Sequence, residues 1–133
     1  MRNLVLADTS VWARETQPRV AALIHAAIRA NVLATITPLT LELLRSAPTV
    51  ARLLFEARRY DELRQLQLAP AVERRARVVQ ERLAERGYHR GPSPVDLLIA
   101  AAAESADAEL WHCDRHFELI AQVTGQPMRR VGQ

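Results

Sequence analysis

The chain has 133 residues, 49% of them hydrophobic, and a formal charge of +3, with fifteen acids against eighteen basic side chains that are all arginine. That length suits one domain with a real core, and no apolar run is long enough to cross a bilayer. A chain without lysine cannot build a glycine-rich, lysine-bearing phosphate loop, and its lone Cys113 excludes an internal disulfide and a multi-cysteine zinc site.

Met1-Arg2-Asn3-Leu4 leads directly into a strand-like run instead of a signal peptide, so a cytoplasmic protein is expected. The apolar run Asn3-Leu4-Val5-Leu6-Ala7 ends at Asp8 and has the character of a buried parallel strand. Pro18 suits a first helical turn, and Val20, Leu23, Ile24, Ala27 and Ile28 repeat at helical spacing, which predicts a helix over 18–30. Residues 32–36 form a second short buried run. Thr37-Pro38 then reads as an N-cap followed by proline at the first helical position, with Glu42 about one turn inside.

Pro48 interrupts this pattern and opens two helices, over about 49–66 and 70–87, expected to form a protruding helical hairpin able to serve as an interface. The first places Val50, Leu53, Leu54, Ala57 and Tyr60 on one face, and the second places Val72, Ala76, Val79 and Leu83. Arg74, Arg75, Arg77, Arg82 and Arg86 cover the remaining surface, either as a solvated face pairing with Glu73, Glu81 and Glu85 or as a phosphate-binding strip.

Residues 87–92 read as a loop, after which Ser93-Pro94-Val95-Asp96 opens an alanine-rich helix running to about Ser105. Residues 109–113 form the third strand candidate and again end at an acid, Asp114. A helix over 115–124 stops at Gly125, and residues 127–131 suit an edge strand. The alternation predicts a three-layer α/β/α domain with a mainly parallel sheet of four to five strands.

Asp8, Glu42, Asp96 and Asp114 each have a local role open to them. Asp8 can organise the turn at Thr9-Ser10, Glu42 can be a solvated helix residue, Asp96 can complete a capping box with Ser93, and Asp114 can cap the last helix. Taken together, they fall at one edge of the expected sheet, where four carboxylates would raise one another's pKa values unless a cation joined them. Hard oxygen ligands in incomplete number favour Mg²⁺ or Mn²⁺. With four acids gathered there, the rest of the surface is more basic than +3 suggests, which suits a polyanion.

The ordered set Asp8-Thr9-Ser10-Val11-Trp12, Glu42-Leu43, Asp96-Leu97-Leu98-Ile99-Ala100-Ala101-Ala102-Ala103 and Asp114-Arg115-His116-Phe117 resembles PIN-domain ribonucleases. In length and layout the chain is similar to VapC, the toxin family of VapBC toxin–antitoxin modules, and the resemblance covers residues 1–133 as a single PIN domain. It implies that Asp8, Glu42, Asp96 and Asp114 hold the metal, with Ser10 supporting a carboxylate or water. It further implies an endoribonuclease that inhibits growth and leaves 5′-phosphate and 3′-hydroxyl ends, a homodimer, and a VapB-like antitoxin whose tail fills the acidic groove.

Two positions depart from the family's usual pattern. His112 stands where threonine is common, and His116 where a further aspartate is common. His116 is read either as a supporting contact to metal or phosphate or as an exposed residue of the first helical turn. Trp12 either stacks on an unpaired RNA base or packs in the core behind Asp8, and Arg14, His89 and Arg90 are candidate phosphate contacts. Two other function classes share some of these features. An aspartate-based phosphohydrolase or receiver domain normally needs the missing lysine, and a catalytically silent PIN-like module would bind RNA or protein without cutting.

Overall fold

The computed structural model describes residues 3–132, so the Met1-Arg2 part of the N-terminal reading lies outside the described residues. Five strands, β1 (Val5–Ala7), β2 (Leu33–Thr35), β3 (Arg64–Gln65), β4 (Glu109–His112) and β5 (Met128–Arg130), form one sheet in the order β3-β2-β1-β4-β5. Every neighbouring pair is parallel. The chain therefore builds outward from β1 in one direction, returns, and builds outward in the other. The reversal falls between β1 and β4, the position at which open α/β sheets leave a crevice beyond the strand ends.

Alternation along the strands creates the two faces. Val5, Ala7, Leu33 and Trp111 point to one side, where they pack with Val11, Trp12, Val20, Ile24 and Tyr60. Leu6, Ala34 and Leu110 point to the other, against Leu39, Val79, Leu83, Ile99 and Phe117. The first side is covered by α1 (Thr9–Trp12), α2 (Pro18–Arg29) and the end of α4 (Val50–Asp61). The second is covered by α3 (Thr37–Leu44), α5 (Pro70–Glu85), α6 (Pro94–Ser105) and α7 (Arg115–Thr124). This is the three-layer arrangement expected from the alternation of elements.

Local sequence accounts for most element ends. Pro18 and Pro94 each sit in a first helical turn, where the missing N–H costs nothing. At the far end of α7, Gly125 adopts φ 70°, the left-handed cap that glycine takes without a Cβ penalty. The helix after β2 differs from expectation: its N-cap is Ile36, with no side-chain bond, and Thr37 is already helical. Thr35 Oγ1 instead meets Thr40 Oγ1 at 2.9 Å across that first turn.

The expected helical hairpin is replaced by another arrangement. Between α4 and α5 the chain adds β3 to the sheet edge, pairing Ala34 with Arg64 and Thr35 with Gln65. Leu66 and Leu68 then pack against the core, so the connection is tied to the sheet. As a result α4 lies against α3, whereas α5 packs on α6 and α7. The four expected residues of α5, Val72, Ala76, Val79 and Leu83, are all buried. Its engaged arginine, Arg75, reaches Glu104 on α6 at 2.7 Å instead of pairing within its own helix.

On α4 the expected apolar face is mostly open. Tyr60 is buried, but Val50 is 75% exposed and Leu53, Leu54 and Phe55 are exposed beside it. Leu41 on the neighbouring α3 is 61% exposed. Among the described residues no helix is long and apolar enough to cross a membrane.

Candidate active site

Asp8 follows β1 directly, and its backbone N–H donates to the Trp111 carbonyl at 3.0 Å, fixing it at the reversal between β1 and β4. Its carboxyl is buried, and burial, with a smaller contribution from Asp96, pushes its pKa up to about 6. Ser10 opposes that shift. Its hydroxyl donates to Asp8 Oδ1 at 2.7 Å while accepting from the Cys113 N–H at 2.8 Å. Ser10 thus orients Asp8 from the backbone of the chain leaving β4.

Asp96 sits in the first turn of α6 and forms a reciprocal capping box. Its Oδ2 accepts from the Ser93 N–H at 2.9 Å, and its own N–H donates to Ser93 Oγ at 3.1 Å. Burial nevertheless raises its pKa, the Ser93 bonds lower it, and Asp114 raises it again. Asp114 caps α7 by accepting the His116 N–H on Oδ1 at 2.9 Å. His116 Nδ1 lies 3.5 Å from the same oxygen. Electrostatic contact therefore runs from Asp8 to Asp96 and on to Asp114 and His116.

Glu42 stands apart from this row. It accepts a bond from Thr9 Oγ1 and lines a cleft of about 400 Å³ with Trp12, Glu15, Arg52 and Glu56. Among the described residues no three His, Cys, Asp or Glu side chains converge as a ready-made cage for an ion. Each acid also has a local partner: Asp96 and Asp114 each use one carboxylate oxygen at a helix cap, and Glu42 accepts from Thr9. The donor set still fits Mg²⁺ or Mn²⁺, because Mg²⁺ commonly keeps several waters and uses only one or two carboxylates together with substrate phosphate. An acid held near neutrality by burial and a like-charged neighbour also gains from a cation.

The remaining candidates separate clearly. Trp12 packs in the core: it is 7% exposed, with Tyr60 edge-on at 5.3 Å and the Arg59 guanidinium over its ring, and what remains open lines the Glu42 cleft. Arg14 donates to the Ser10 carbonyl at 2.8 Å and braces the turn after Asp8 instead of projecting toward phosphate. His89 and Arg90 are exposed on the loop between α5 and α6. His112 is buried against Phe117, and its Nδ1 accepts from the Asp114 N–H at 3.3 Å. Burial lowers its pKa, so it is a neutral brace for Asp114.

Sequence reasoning missed two supports. Thr9 holds Glu42 across 33 positions, and the Cys113 backbone N–H holds Ser10 across 103. The visible signal was the pair of hydroxyls after Asp8, Thr9 and Ser10, but the distant partner of neither was legible locally.

The PIN domain family model matches residues 5–123. Among curated relatives, Ribonuclease VapC18 of Mycobacterium tuberculosis is 34% identical over 90% of this chain and 89% of its own length. Ribonuclease VapC2 of the same species is 52% identical over 48% of this chain and 45% of that protein, about half the length of each. Two solved structures share the fold. The DNA-bound VapBC of Salmonella typhimurium has a TM-score of 0.77 at 16% identity, covering 97% of this chain and 98% of that one. VapBC2 of Rickettsia felis, bound to a promoter DNA fragment, has a TM-score of 0.76 at 13% identity, covering 97% and 99%. With the family model matching residues 5–123 and a relative 34% identical over most of both chains, the chain belongs to the PIN domain family.

Proposed function

We propose that this chain is a metal-dependent endoribonuclease and the toxin of a VapBC-type toxin–antitoxin pair, acting in the cytoplasm as a single PIN domain over residues 1–133. The observation that carries the reading is Asp8, buried at the sheet's reversal point with its carboxyl pushed up to about 6 and Asp96 beside it. Relatives named as VapC ribonucleases support the reaction class, and the VapBC complexes with the same fold support an antitoxin partner.

Asp8, Asp96 and Asp114 are assigned as the groups that hold Mg²⁺ or Mn²⁺. When bound, such an ion supplies positive charge against the phosphate and lowers the pKa of an attacking water. Ser10 keeps Asp8 oriented, and His112 keeps the Asp114 backbone in place. Glu42, on the neighbouring helix, positions water at the rim, with Thr9 fixing its carboxylate. His116 faces the same phosphate from the first turn of α7. His89 and Arg90 supply weak electrostatic attraction for the RNA from their exposed loop.

The open apolar residues Leu41, Val50, Leu53, Leu54 and Phe55 support protein partners on the α3–α4 side, namely the antitoxin and a second copy of the chain. The direct test is incubation of the purified protein with single-stranded RNA in Mg²⁺ or Mn²⁺. Fragments should form, and should disappear with EDTA or with Asp8→Asn. Cleavage that persists under either condition contradicts the metal-nuclease assignment. Binding of RNA without fragments would make the chain a catalytically silent module.

A further inference from the structure

Beside Asp114 lies a second cleft, of about 360 Å³, lined by Gly87, Tyr88, Gly91 and one face of α7. The α7 face contributes Arg115, His116, Leu119 and Gln122 at spacings that place them along one side of the helix. We propose that this cleft receives an unpaired nucleobase of the RNA next to the scissile phosphate, with Tyr88 stacking on the base and Gln122 reading its edge. The inference rests on the ribonuclease reading and specifies how that site chooses its substrate.

The position of Tyr88 is fixed by the end of α5. The Gly87 N–H donates to the Ala84 carbonyl at 3.0 Å and the Tyr88 N–H to the Leu83 carbonyl at 2.8 Å, with Gly87 at φ 77°. This is a Schellman termination, and it places the residue after the glycine in a defined direction. The Gly91 N–H then closes a turn onto the Tyr88 carbonyl at 3.2 Å. A Cβ on Gly91 would come within 3.3 Å of the His116 ring, so the loop is seated directly against α7. The backbone around Tyr88 is set while the residue remains 44% exposed. An exposed aromatic on an ordered backbone is the usual platform for a splayed-out base.

The other cleft residues suit the same ligand. Glu118 is engaged by Arg130 at 3.0 Å, and among the described residues Arg115 has no carboxylate within ion-pair distance. The cleft therefore presents a guanidinium for phosphate, an amide able to donate and accept, an aromatic face and the apolar Leu119. His116 lines this cleft and also lies 3.5 Å from Asp114 Oδ1. A base seated here would belong to a nucleotide flanking the bond that is cut.

The test uses a pool of short, random-sequence single-stranded RNAs, with the cut ends sequenced. The full chain should show a base preference at one position flanking the cut. Tyr88→Leu should weaken RNA binding about tenfold, the loss of one stacked base, and should weaken that preference, because an unstacked base is no longer held for Gln122 to read. Tyr88→Phe should retain it, and Gln122→Leu should change which base is favoured. In an Asp8→Asn background, 2-aminopurine placed at that position should be quenched on binding, and Tyr88→Leu should restore its fluorescence. An unchanged preference with Tyr88→Leu overturns the proposal while leaving the ribonuclease reading intact. So does a variant whose only effect is to convert a dimer to a monomer, which would make Tyr88 a subunit contact. If the unmodified chain cuts none of the pool, the ribonuclease reading fails and the base site fails with it.

Discussion

The carboxylate crevice and the α3–α4 surface are built on opposite terms. In the crevice each acid is held by the backbone: Asp8 through Ser10 and Cys113, Asp96 through Ser93, and Asp114 through the His116 N–H. On α4, Tyr60 packs on Trp12 and Arg59 pairs with Glu15, but Val50, Leu54 and Phe55 are left facing water. The crevice tolerates unfavourable charge because its geometry is over-determined, whereas the α4 face is apolar beyond what this chain can bury. Under the proposed function, the first region serves the chemistry and the second a partner.

The largest expected effect separates the two regions outright. Asp8→Asn should reduce RNA cleavage by about a thousandfold, because it removes the buried ligand charge, while leaving partner binding through α4 intact. Single-turnover cleavage and a partner pull-down on the same preparation check both halves. If both properties fell together, the regions would not be independent.

The next effect is on pH dependence. Burial makes Asp8 hold its proton more tightly when folded, pushing its pKa up to about 6 from the ordinary 3.8. Its contribution to stability is therefore fully present below pH 3.8 and is lost as pH rises through about 6, a change of order ~3 kcal/mol. His112, with its pKa lowered by burial, acts in the opposite sense: its contribution is present above its unfolded value of 6.5 and is lost as pH falls. Denaturant melts between pH 4 and 8 should show the Asp8 slope disappear in Asp8→Asn and flatten when Mg²⁺ is added. An identical slope in that variant would mean that Asp8 is not the titrating group.

A smaller effect sharpens the other side of the comparison. Leu54→Arg should weaken partner binding by about tenfold to a hundredfold, with stability changed by less than about 0.5 kcal/mol because the side chain is already in water. Titration calorimetry with the partner, and a melt without it, would check this. Smaller still, Ser10→Ala should cost about 1–2 kcal/mol by leaving the Cys113 N–H and Asp8 without their shared bond. That change should also raise the Asp8 pKa further, moving the pH-dependent step in stability to higher pH.

The difference between the regions also explains what the sequence made legible. Ser93 and Asp96 lie three residues apart, so their capping box could be read directly, as could the stop at Gly125. The acid after β1 was visible because an apolar run ended there. The hairpin reading failed because Arg64 and Gln65 carry no strong strand signal and are recruited by pairing with β2, a partner some thirty residues away. The apolar face of α4 was legible from its spacing, but what covers it was not, because amphipathic spacing looks the same whether the covering surface belongs to this chain or to another. Ser10's link to Cys113 and Thr9's link to Glu42 exist only once the sheet has closed.

The chemistry of the new RNA ends tests the central claim most directly. Brief digestion of a defined single-stranded RNA in Mg²⁺, followed by end-specific ligation and sequencing, should give 5′-phosphate and 3′-hydroxyl ends, and none when EDTA is present. Cyclic phosphate ends would show that the RNA's own 2′-hydroxyl is the nucleophile, and fragments that form equally well in EDTA would show that no metal is needed. Asp8, Asp96 and Asp114 would then have no metal-dependent role.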